Sequence, residues 1–249
     1  MKLNKTLIAL ALAAAATPAL SATITISNLR SDWLNPVPVV GVTIVNQAGS
    51  LVDTARWPTG STTQSGYNFD PTDGSIVLAN VPPNTPSFQI GSFQHLNFPI
   101  TGTSLSSIQL RVTGDIDIDG TKFLNQTYLF NLVHDETDNG ANPCAYGGAN
   151  GQGVNINGCA DRVLISPVSG QQSTFKVGGI DYTLYLDGFQ TNGGVTPNPS
   201  FLTIESATNT AGLIGHVAAV QNVPEPASLA LLGLGLAGLG LIRRRKTSV

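Results

Sequence analysis

The chain has 249 residues, with 12 Lys and Arg against 15 Asp and Glu, a formal net charge of −3. Between residues 23 and 222 the balance is sharper, six cations against fourteen acids, or −8. Such a body lacks the basic patches that a phosphate backbone needs, which excludes nucleic acid as a partner and leaves divalent cations and neutral glycans.

The N-terminus places Lys2 and Lys5 ahead of an apolar Leu/Ala run at 7–16, which Pro18 ends. Ala19-Leu20-Ser21-Ala22 then offers small residues to a signal peptidase. A basic start, a short apolar stretch and a small-residue exit predict a secretory signal peptide over 1–22, cut after Ser21 or Ala22.

The roughly 200 residues that follow suffice for one large all-β domain or two small ones. Thr23-Ile24-Thr25-Ile26-Ser27 alternates at period two, and 39–45 is a β-branched run. Further strand patterns fall at 75–78, 87–93, 107–118, 127–132, 162–165, 175–177, 182–186 and 201–205. Turn dipeptides separate them, among them Asp73-Gly74, Pro82-Pro83, Asp119-Gly120, Asn139-Gly140, Asn157-Gly158 and Gly178-Gly179. The Ala-rich stretch 208–220 is the one place in the body where a short helix is a candidate. Many short strands with Gly, Pro and Asn turns predict an antiparallel β-sandwich or jelly roll spanning 23–220.

Candidate sites in this body are few. Asp115-Ile116-Asp117-Ile118-Asp119-Gly120 opens like a Ca²⁺ loop, but the twelfth position is Gln126 instead of a bidentate Glu, and flanking helices are missing. The plainer reading puts Ile116 and Ile118 inward, the aspartates outward and Asp-Gly in the turn. Three carboxylates on one strand face repel each other, and a Ca²⁺ ion at Asp115, Asp117 and Asp119 would relieve that. His134, Asp135, Glu136 and Asp138 form a second acidic cluster, which reads as a solvated loop or, with Asp161, as a cation site. Cys144 and Cys159 are expected to form a disulfide in an oxidising compartment, worth about 3 kcal/mol for a loop of this size; a metal pair is the less favoured alternative. H-E-x-x-H, G-x-S-x-G and the phosphate-binding Gly loop are all absent, so a protein without catalytic function or cofactor is expected.

The C-terminus reads Val223-Pro224-Glu225-Pro226, then an uncharged Leu/Gly/Ala run at 227–242, then Arg243-Arg244-Arg245-Lys246. As a helix, those sixteen apolar residues span about 24 Å, slightly short of a hydrocarbon core about 30 Å thick. A transmembrane helix is therefore expected, with snorkelling arginines or bilayer thinning covering the difference. The four cations form a stop-transfer end on the cytoplasmic side, which places the body outside.

A Pro-Glu-Pro motif, a short Gly/Leu-rich helix and a terminal Arg cluster resemble the PEP-CTERM sorting signal, here over 221–249. The resemblance implies recognition by exosortase, a membrane-embedded cysteine protease, at or near Pro224-Glu225-Pro226, in a Gram-negative producer of exopolysaccharide. It covers the tail alone.

The body carries a second resemblance. Arg56-Trp57, Gln64-Ser65-Gly66-Tyr67-Asn68-Phe69, the stretch 88–100 around Gln94-His95-Leu96-Asn97, the stretch 134–139 and the stretch 157–163 are similar to the THxN family of PEP-CTERM proteins. Gln94 stands where that family has threonine, while His95 and Asn97 keep their places. The resemblance names a kinship and no reaction. Physically, Phe93 and Phe98 are expected in the core. His95 and Asn97 read as a polar corner closing the strand, with Asn97 in an Asx turn or left-handed backbone; the sharper alternative is a ligand-binding or catalytic pair. Together the readings describe an exported cell-surface or matrix protein associated with exopolysaccharide. The alternatives are a secreted glycan-active enzyme and a Ca²⁺-dependent binding module.

Overall fold

The computed structural model describes residues 21–49, 51–168, 174–191 and 196–221. The expected signal peptide lies almost wholly outside these, as do the Val223–Pro226 motif, the expected membrane helix and the basic cluster. Among the described residues no helix is long and apolar enough to cross a membrane.

Among the described residues thirteen strands follow in chain order: β1 (Ala22–Val37), β2 (Thr43–Val45), β3 (Asp53–Trp57), β4 (Ser65–Pro71), β5 (Ile76–Val81), β6 (Ser87–Asn97), β7 (Ser107–Ile118), β8 (Thr121–Asp135), β9 (Asp161–Pro167), β10 (Thr174–Val177), β11 (Ile180–Thr191), β12 (Ser200–Thr203) and β13 (Ala207–Gln221). They form two antiparallel sheets, β12-β9-β8-β7-β1-β5 and β10-β11-β13-β6-β4-β3-β2, stacked as a sandwich. The expected all-β architecture is the observed one.

Period-two alternation builds the core. In β1, Ala22, Ile24 and Ile26 point inward, and then the phase changes so that Leu29, Ser31 and Trp33 do. The switch sits at a bulge between Ser27 and Arg30, where Asn28 takes a φ of 52°. One inserted residue flips every later side chain to the other face, which keeps a sixteen-residue strand apolar on its inner side throughout. The inner faces meet through Trp33, Trp57, Tyr67, Phe69, Phe93, Leu110, Ile116 and Ile118, all essentially without solvent exposure. Trp33 lies 5.8 Å from Tyr67 and 6.4 Å from Phe93, so aromatic rings join the two sheets. Ile116 and Ile118 point inward as expected. Asp119-Gly120 makes the tight β7–β8 turn, with both residues at positive φ (47° and 86°), as a type I′ hairpin requires.

Two expectations are corrected. Residues 208–220 are the centre of β13, paired with β11 on one side and β6 on the other. At Gly215 the neighbouring strand β11 comes close: a Cβ there would stand 2.7 Å from the Tyr185 carbonyl oxygen. Phe98 is half-buried, not a core residue, because β6 ends at Asn97. Its backbone N–H donates to Ser65 Oγ at 3.1 Å, which fastens the strand exit to β4.

Candidate functional site

One end of the sandwich interior is polar. Antiparallel register sets Tyr67 of β4 opposite His95 of β6, while His134 sits near the end of β8 opposite Val163 of β9. Asp161 opens β9, Thr203 ends β12, and Glu205 lies in the following turn. His95, Asn97, Asp161, Thr203 and Glu205 have no solvent exposure, and His134 has 4%. Trp57 and Tyr67 wall the cluster, with ring centroids 5.2 Å from His134 and 5.1 Å from His95 respectively; the two imidazoles are 5.0 Å apart.

His95, Asn97 and Asp161 are each held by one polar atom and leave another uncommitted. The Thr203 hydroxyl donates to the Asp161 carbonyl at 3.3 Å, so His95 Nδ1–H is the donor across its 2.9 Å contact with Thr203 Oγ1. That tautomer leaves a lone pair on His95 Nε2, which has no partner. His134 Nδ1 lies 2.7 Å from the Tyr67 hydroxyl, and its Nε2 lies 3.3 Å from Glu136 Oε2. Asp161 Oδ1 accepts the Thr137 N–H at 2.7 Å, while Oδ2 is unpartnered. The Asn97 amide donates to the Thr203 carbonyl at 3.2 Å, and its Oδ1 is unpartnered. Asn139, Asn97 and Asp161 face the Glu205 carboxyl and partly offset its burial, yet neither Glu205 oxygen has a hydrogen bond of acceptable geometry.

The electrostatics follow from burial. Desolvation pushes the Asp161 carboxyl up to about 8, with Glu136 adding to it and the Thr137 N–H opposing. Glu205 is raised by the same burial and by Glu136. His95 is driven well below the usual imidazole range, first by burial and then by His134, so it is neutral at pH 7. Tyr67 is raised by burial and the nearby acids and keeps its proton. Two sets of potential ligand atoms converge to within 4.8 Å of one another: His95, His134 and Asp161, and Glu136, Asp161 and Glu205.

Above the cluster opens a cleft of about 570 Å³ with His134, Asp135, Glu136, Asp138 and Tyr146 on its wall. The Arg162 guanidinium lies 4.4 Å above the Tyr146 ring and its Nη2 bonds Asp135 at 2.6 Å, which holds that wall in place. Cys144 and Cys159 are disulfide-bonded, as expected, and fasten the loop that forms the cleft's rim.

His95 and Asn97 are thus brought together with His134, Glu136 and Asp161. Asn97 is extended at the end of β6, not in a left-handed turn. Asp115, Asp117 and Asp119 stay apart from the cluster, and each is engaged by a backbone N–H: Asp115 accepts from Asn125 of β8, Asp117 from Gly120 in the β7–β8 turn and Asp119 from Thr23 of β1. Among the described residues they join no group with metal-ligand geometry. Sequence reasoning missed Glu205 and Thr203, which carry no local motif. It also assigned nothing to His216, whose Nδ1 lies 2.6 Å from Asp187 Oδ1 on the outer face.

These features define a disulfide-bonded antiparallel β-sandwich with a buried His–carboxylate cluster beneath an open cleft. Residues 222–246 match the family described as the PEP-CTERM protein-sorting motif. That motif is a substrate signal for exosortase and indicates an exported protein sorted to the envelope. No curated protein matches the chain.

Proposed function

We propose that the protein is a non-enzymatic component of the cell surface or extracellular matrix that associates with exopolysaccharide after exosortase removes its tail. Kinship with the THxN family belongs to the same reading, and the meeting of Trp57, Tyr67, His95, Asn97, His134 and Asp161 from separate family-like segments supports it. The observation that carries the proposal is the sorting motif at 222–246 on a chain whose one described cleft near the cluster joins an aromatic face, Tyr146, to polar walls. That combination suits a neutral sugar, since the net-acidic body repels anionic chains.

A non-catalytic role is favoured over a glycan-active enzyme by the burial of the carboxyls. Glycoside hydrolysis needs two carboxyl groups facing the scissile bond. Asp161 and Glu205 are fully buried, and the acids on the cleft wall are already engaged: Asp135 accepts from Arg162 and Tyr146, Glu136 from Ser104 Oγ, and Asp138 from the Gly140 N–H. Fractionation of producing cells, with mass mapping of both termini, tests the reading. A C-terminus within Val223–Pro226 in material that co-sediments with neutral exopolysaccharide, and loss of that association in Tyr146→Ala, is the expected result. A chain that retains Arg243–Lys246, or one that leaves the polysaccharide in the supernatant, overturns it.

A further inference from the structure

The buried cluster is overprovided with acceptors. His95 Nε2, Asp161 Oδ2, Asn97 Oδ1 and both Glu205 oxygens are buried and unpartnered, and each can offer a lone pair to a cation. Trp57 Nε1 is the unpartnered donor beside them. An isolated buried carboxylate is costly, and even a neutral buried acceptor without a donor destabilises the fold. A cation satisfies several such lone pairs at once and removes the repulsion among Glu136, Asp161 and Glu205.

We propose that His95, His134 and Asp161 bind a divalent first-row transition-metal ion, with Glu136 and Glu205 completing its surroundings from the carboxylate side. The nitrogen ligands are His95 Nε2 and His134 Nε2, because both Nδ1 atoms are engaged with hydroxyls. The oxygen ligand is Asp161 Oδ2, the unpartnered oxygen of the residue that belongs to both converging sets. Two imidazoles with carboxylates suit Zn²⁺, Mn²⁺ or Fe²⁺, whereas Ca²⁺ and Mg²⁺ take oxygen ligands. Ligand atoms around a tetrahedral ion with bonds near 2.05 Å are about 3.3 Å apart. Atoms now within 4.8 Å therefore close inward, and the ion replaces the contact between His134 Nε2 and Glu136 Oε2.

The surroundings match what metal sites require outside the ligands. Thr203 orients His95, Tyr67 orients His134, and the Thr137 N–H fixes Asp161 by its other oxygen. Glu136, 24% exposed on the cleft wall beside the buried His134, marks the side from which an ion would enter. The site is distinct from the Asp115, Asp117 and Asp119 group, where every carboxylate already accepts a backbone N–H.

The test uses the untagged full chain in detergent, stripped with EDTA and titrated with Co²⁺, then with Zn²⁺. Visible Co²⁺ bands saturating at one ion per chain, abolished by Zn²⁺ and unaffected by excess Ca²⁺, are expected, with a higher Tm in Zn²⁺ than in EDTA. Thr203→Val, which leaves all ligands in place, is expected to weaken Zn²⁺ binding about 10–100-fold, and His95→Gln to weaken it further. Asp117→Asn serves as the remote control and is expected to bind normally. No saturable Co²⁺ spectrum in the unmodified chain overturns the proposal, as does full binding by a folded His95→Gln variant. Equal competition by Ca²⁺ overturns the nitrogen-ligand assignment.

Discussion

Removing the disulfide by the double substitution Cys144→Ala/Cys159→Ala links stability to the site. The two cysteines are 15 residues apart and both are buried. In the chain-entropy description, closing a loop of that length restricts the unfolded chain by an amount worth about 3 kcal/mol. For a domain of this size each kcal/mol moves Tm by about 2–4 °C, so a fall of about 6–12 °C is expected. The effect has a local part. Thr137 Oγ1 donates to the Cys159 carbonyl at 2.9 Å, and Asp161 lies just beyond, so a loosened loop also loosens the Asp161 carboxyl. Thermal melts by circular dichroism, with and without reductant, measure the first part. A double variant melting within about 2 °C of the parent, or a parent indifferent to reductant in the unfolding range, refutes the loop-entropy reasoning.

Gly91→Ala is expected to cost about 1–3 kcal/mol, because a Cβ there meets the Phe69 ring at 2.5 Å and the Asp70 carbonyl oxygen at 2.6 Å; a denaturation midpoint equal to the parent's contradicts this. Burial raises the Asp53 carboxyl above its ordinary value against hydrogen bonds from Ser31 and the Gln47 N–H. The folded state therefore holds that proton to higher pH than the unfolded state, and stability from this group declines as pH rises from about 4 through the folded pKa. The isosteric Asp53→Asn should gain stability relative to the parent over that window, and paired melts at pH 4 and pH 7 showing a constant difference would refute it. Ala22 is buried and pairs with Val81, and the Thr23 N–H bonds Asp119 at 2.9 Å, so signal-peptidase cleavage is expected after Ser21, with Ala22 as the first residue. N-terminal sequencing showing Thr23 first contradicts that expectation.

Much of this protein was legible along the chain. Alternation at Ile24–Ile26 and Ile116–Ile118, with Asp-Gly and Gly-Gly turns, announced a sheet because side-chain period and turn chemistry are local properties. The tail is equally local: charge, apolar length and the Pro-Glu-Pro motif are contiguous at 222–246. The Ala-rich segment at 208–220 was ambiguous for the converse reason. Alanine and glycine specify little by themselves, and flanking partners on both sides made β13 a central strand.

The cluster belongs to the tertiary structure alone. His95 and Thr203 are 108 residues apart, and Tyr67 and His134 are 67 apart. Their residue types suggested a corner or a loop one at a time, since a single histidine or acid says nothing about its neighbours across a sheet. Strand order brought β4, β6, β8, β9 and β12 to one end of the sandwich, and the packing of the two sheets closed off the solvent. Sequence by itself determined the strands, the acidity of the body and the sorting address. Folding determined which polar atoms were buried together, because desolvation and unpartnered lone pairs exist only once distant segments enclose them.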